Sequence, residues 1–107
     1  MYRVTLKALT PEPQLMSTVL GALAGSLKSS GCTLIEKPSW ILASCGDSVL
    51  IKAFMHMTPT TREILAGIES SVIIVVESPG ASSTAKAVGI VMGALESVGV
   101  GVVMEQG

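Results

Sequence analysis

The best seat for an anion in this chain is Ser78-Pro79-Gly80-Ala81-Ser82-Ser83-Thr84, with Lys86 just beyond it. The segment lies between the apolar run Val72-Ile73-Ile74-Val75-Val76 and a long apolar helical pattern, where a buried strand hands over to a helix. At such a helix start the backbone N–H groups point outward, with the positive end of the helix dipole behind them. Small hydroxyls and a lysine add donors. Ser78, Gly80, Ser82, Ser83, Thr84 and Lys86 are therefore candidate ligands for a small phosphate- or carboxylate-bearing molecule. Glu77 would stand beside anything bound there. The spacing matches neither the P-loop nor the dinucleotide fingerprint, and Ser and Thr in these places also serve as ordinary helix caps. Both readings stay open.

Other chemistry-bearing residues are sparse. His56 is the only histidine, flanked by Met55 and Met57. Strand alternation sends the two methionines to one face and the histidine to the other, so they cannot share a metal within a regular strand. Cys32 and Cys45 are the only cysteines. If Pro38-Ser39 is a two-residue turn, Lys37 faces Trp40 and Cys32 falls opposite Cys45, where a disulfide is geometrically available. Two reduced thiols are the expectation for a cytoplasmic chain, and two cysteines without a nearby histidine are not a zinc pattern. No nucleophile–base pairing stands out, so no catalytic residue, metal or cofactor is expected.

The elements that would position these residues read as β-α-β-β-β-α-β-α-β. Alternation over residues 2–9 marks a half-buried strand. Thr10-Pro11-Glu12 carries the signals of a helix start, and Gly31 supplies the stop. Strands follow over 32–37, 40–45 and 48–57, the last two joined by Gly46-Asp47 as a two-residue turn. With that turn, Glu36 and Lys52 would flank Ile41 on one sheet face. A short helix begins near Thr58-Pro59-Thr60 and ends near Gly67. A strand over 71–77, a helix to about Val98, the stop Gly99 and a last strand over 100–105 complete the order. The fold class is α+β (mixed α/β): a two-layer sandwich, a mixed sheet with helices on one side. Its order up to Glu77 is ferredoxin-like by analogy, which carries no function.

Residues 2–37 and 70–105 match without a gap at an offset of 68 residues. Gly21 falls on Gly89, Gly25 on Gly93 and Gly31 on Gly99, and Thr10-Pro11 falls on Ser78-Pro79. Glycine inside a helix costs about 1 kcal/mol relative to alanine, so the interior pairs need a reason. With Ser17, Ser29, Ala85 and Ser97 they form small-residue stripes at four-residue spacing. Two reasons present themselves: close packing of the helices on one sheet, or an interface with another subunit. The halves are two pseudo-equivalent βαβ units of a single domain spanning residues 1–107.

Composition bounds the partners. Hydrophobic residues make up 49% of the 107 and charged residues 14%, against about 25% charged in an average domain. That leaves too little charge to cover a small domain, so apolar surface is expected to meet another subunit. Formal net charge is −1 and the seven basic residues are scattered, which argues against nucleic acid. No stretch has the length and apolarity of a membrane span, and the N-terminus lacks a signal-peptide pattern. The expectation is a cytoplasmic, non-catalytic assembly or interaction module, a homo-oligomer or a subunit of a larger complex. The alternative is a small-ligand or anion-binding regulatory domain using residues 78–84.

Overall fold

A computed structural model describes residues 1–46 and 48–105. The elements are β1 (Tyr2–Thr10), α1 (Gln14–Ser29), β2 (Thr33–Lys37), β3 (Trp40–Cys45), β4 (Val49–His56), α2 (Thr61–Leu65), β5 (Ser70–Ser78), α3 (Ala81–Val98) and β6 (Gly101–Glu105). The six strands form one sheet in the order β2-β3-β4-β5-β1-β6. The α+β two-layer class stands, but every pairing is antiparallel, where a mixed sheet was expected. The reason lies in the crossovers. The path β5–α3–β6 steps over β1, and β1–α1–β2 steps over β5, β4 and β3. Strands that run the same way are never neighbours.

Residue alternation sorts the sheet into two faces. Leu6, Ala8, Ile41, Ala43, Ile51, Ala53, Val72, Ile74 and Val76 point to one face and are buried. Over them lie α1 and α3, which also pack against each other. Helical spacing puts Val19, Leu23 and Leu27 of α1 and Val91 and Leu95 of α3 into this core, nearly or fully buried.

The two units coincide in place as well as in order. Sixty-eight residues separate Tyr2–Thr10 from Ser70–Ser78, and the same number separates Thr33–Lys37 from Gly101–Glu105. Leu6 pairs with Ile74, its own counterpart at that offset. A local two-fold axis between β1 and β5 requires such a self-pair. The symmetry breaks at one place. β6 lies beside β1, but the matching place beside β5 holds β4, and the β3–β4 hairpin separates β2 from β5.

Local signals moved in two places and held at a third. Thr10 does not cap α1; it ends β1, fully buried, with its Oγ1 2.6 Å from the Ser70 Oγ. The helix starts after Pro13 instead. Helix α2 starts within the expected Thr58-Pro59-Thr60 segment, capped by Thr60: the Glu63 N–H donates to Thr60 Oγ1, and the Thr60 N–H donates to the Glu63 carboxylate. Between β3 and β4, Cys45 pairs with Val49, which leaves three turn residues rather than two. Ser48 takes the left-handed conformation there, with φ 60°; Asp47 lies outside the described residues. The one-residue shift moves Lys52 opposite Leu42, and such a slip changes which face a side chain meets. Glu36 and Lys52 therefore lie on opposite faces, and Glu36 pairs with Lys28 at 2.6 Å.

Candidate functional site

The path into the anion candidate begins at β5, whose buried run ends at Ser78. Pro79 and Gly80 turn the chain, and Gly80 is the N-cap of α3 with extended backbone. The hydroxyls there turn inward. The Gly80 N–H donates to Ser78 Oγ at 3.3 Å, and Ser78 Oγ also meets Ser83 Oγ. Ser83 Oγ and Thr84 Oγ1 both donate to the Gly80 carbonyl, at 3.1 and 2.7 Å. A Cβ on Gly80 would sit 3.1 Å from Ser83 Oγ, so a side chain there would press on this knot of bonds and push the Ser83 hydroxyl aside by a few tenths of an ångström. Ser78 and Thr84 are buried and hold the loop together rather than reaching outward.

The remaining candidates open onto a cleft of about 780 Å³. Gly80, Ser82, Ser83 and Lys86 line one wall, and Val49 and Ile51 of β4 also line the cleft. Its other wall holds Ser30, Gly46, Cys32 and Cys45. The cysteines are joined in a disulfide, with Cα atoms 4.4 Å apart; this corrects the expectation of reduced thiols. The pairing follows from the turn at Pro38-Ser39, because Lys37 faces Trp40 and Thr33 faces Ser44. The end of α1 fixes Cys32 further. Gly31 has φ 86°, its N–H bonds the Lys28 carbonyl, and the Cys32 N–H bonds the Leu27 carbonyl. That is the six-to-one closure of a helix C-terminus. Sequence reasoning identified both the α3 loop and the Cys32–Cys45 register, but nothing local could bring them to one cleft.

The interior glycines occupy a different place. Gly21, Gly25, Gly89 and Gly93 are all exposed, and a Cβ built on any of them meets nothing within 4 Å. They do not serve close packing of α1 on α3. Ala22, Ser26, Ile90 and Ala94 are more covered and line a groove of about 580 Å³ between the helices, with Gly25, Gly89 and Gly93 at its rim.

The opposite sheet face also carries exposed apolar side chains. Ile35 is 52% exposed, Leu50 49%, Val103 46% and Trp40 36%. Lys7 points to this face and pairs with Glu63 of α2 at 2.9 Å. The Thr60 backbone N–H, first, and the Lys7 ammonium, next, hold the Glu63 carboxyl down at about 2. His56 lies at the end of β4, its Nε2 3.1 Å from the Thr58 carbonyl. Among the described residues no cluster of three or more His, Cys, Asp or Glu could hold a metal, and no described helix is long and apolar enough to cross a membrane.

No family model matches the chain, and no curated protein matches it. Among solved structures, the NMR structure of PA4090 from Pseudomonas aeruginosa is similar, with a TM-score of 0.61 at 13% identity. The match covers 98% of this chain and 96% of that one. At that identity the likeness shows a shared fold and says nothing about function.

Proposed function

We propose that this domain is a small, non-catalytic assembly module that meets further copies of itself, or a larger complex, through its helix layer. One observation carries the reading. Four glycines inside two helices face solvent with room for a Cβ. Each costs about 1 kcal/mol relative to alanine, in a domain whose whole stability is of order 5–15 kcal/mol. No contact among the described residues accounts for that cost. Glycine and serine stripes make a flat surface on which a partner's backbone can approach closely. The exposed Ile35, Trp40 and Leu50 supply a second apolar face for a larger assembly.

Sedimentation velocity over micromolar to millimolar concentration tests this. The expected species is larger than the 11.0 kDa chain, and Gly25→Leu with Gly93→Leu should return it to monomer without unfolding it. A monomer throughout, with no effect of the leucines, would overturn the homo-oligomeric form. A second reading rests on the cleft, where exposed Lys86 and Ser82 stand at the start of α3. It takes the domain as a binder of small anionic ligands. Chemical-shift changes at Gly80, Ser82 and Ser83 with a panel of phosphate-bearing metabolites would support it, and none across the panel would sink it.

A further inference from the structure

The Cys32–Cys45 disulfide packs against the edge of the core and lines the wall of a cleft. Both cysteines are half-buried, and both line the 780 Å³ space opposite the first turns of α3. The bridge therefore borders space that an external thiolate can enter with the protein folded. Of the described residues lining the cleft, Lys86 alone carries a formal charge. With the dipole of α3, it makes that wall positive.

We propose that Cys32–Cys45 is a thiol–disulfide exchange site whose substrate is a small thiol bearing a carboxylate or phosphate. A thiolate, R–S⁻, attacks one sulfur of the bridge. A bond forms between the substrate sulfur and that cysteine, the Cys32–Cys45 bond breaks, and the other cysteine leaves as a thiolate. A second R–S⁻ then attacks the substrate sulfur of the mixed disulfide, releasing R–S–S–R and the second cysteine thiolate. Two substrate thiols supply the two electrons, and both cysteines take protons from water. The reverse sequence re-forms the bridge. The Lys86 charge and the α3 dipole across the cleft favour the departing thiolate, and departure of the more stable thiolate speeds exchange. The same field draws an anionic thiol in.

The protein is built to keep its fold through such a cycle. All five residues of β2 pair with β3. The Cys32 N–H stays bonded to Leu27 at the end of α1, and Lys28 holds Glu36. The edge strand therefore remains attached when the sulfurs part. This inference shares the cleft with the anion-binding reading but not its test: phosphate binding without exchange would leave that reading standing and overturn this one.

The experiment uses the oxidised full chain without denaturant. It is treated with 3-mercaptopropionate, 2-mercaptoethanol and cysteamine at matched thiolate concentration. Reduction is followed by alkylation and mass spectrometry, and the fold by circular dichroism. The expected result is complete reduction of a folded protein, with the anionic thiol about two- to five-fold faster than the neutral one and the cationic thiol slowest. Lys86→Gln should narrow that spread while leaving the fold unchanged. Equal rates for the three thiols would overturn the anionic substrate. Reduction that occurs only as the chain unfolds, and accelerates with denaturant, would overturn the exchange site and leave a structural staple.

Discussion

Replacing the four exposed helix glycines with alanine should separate folding from assembly. At Gly21, Gly25, Gly89 and Gly93 the new methyl group meets no atom of the described residues within 4 Å, and none of the four has positive φ. Each substitution should therefore stabilise the isolated chain by about 0.4–1 kcal/mol, through helix propensity and a less free unfolded state. Successive glycines on one helix are a full turn apart and share no partners, so the effects should nearly add. The quadruple variant should gain about 2–4 kcal/mol, a large fraction of a small domain's stability. Urea unfolding followed by Trp40 fluorescence, at a concentration where the chain is monomeric, should show a raised midpoint and an unchanged slope. Sedimentation of the same variant at high concentration should show weaker association, because four methyl groups now stand where a partner must approach. A lowered midpoint would refute the reasoning, because it would mean that the glycines have a partner inside the chain. A raised midpoint with undiminished association would remove the glycines from the interface.

Three further outcomes follow from particular contacts. Removing the bridge with Cys32→Ser and Cys45→Ser should cost about 3 kcal/mol, the chain-entropy value for so short a loop, measured as the loss of urea stability relative to the oxidised chain. Glu63 has its folded-state carboxyl lowered from 4.5 to about 2, so its contribution is present above the unfolded value and is lost as pH falls through about 2. Discounted for solvent screening, Glu63→Gln should cost about 1 kcal/mol at neutral pH, and the gap between the two proteins should close in acid titrations of stability. Leu27→Ala should cost about 2–5 kcal/mol by thermal or urea unfolding, because that side chain is fully buried at the turn where α1 delivers Cys32.

Much of this fold could be read from the residues because its signals are local. Alternation marked β1, the apolar run marked β5, and Gly31 and Gly99 marked the ends of α1 and α3, each with φ above 80°. The Pro38-Ser39 turn set the β2–β3 register and with it the position of Cys32 opposite Cys45. Local signals also misled where they competed. Thr10-Pro11 has the chemistry of a helix cap, but strand pairing extends through Thr10, and its hydroxyl finds Ser70 across the sheet. Gly46-Asp47 reads as a two-residue turn, yet the third residue, Ser48, is needed to carry the chain into register with β4.

Sequence alone determined the order of the elements and the class of the fold, because hydrophobic period and capping act over a few residues. It also pointed to residues 78–84 as a helix start rich in donors. Tertiary structure decided what the sequence left open. Long-range pairing put β1 between β5 and β6 and the β3–β4 hairpin between β2 and β5, so no two adjacent strands run parallel. The docking of the apolar faces of α1 and α3 on the sheet turned the interior glycines outward, since a stripe has no assigned side until the helix is docked. The meeting of α3's first turn with the cysteine bridge depends on both, and no pattern along the chain encodes a distance between elements that far apart.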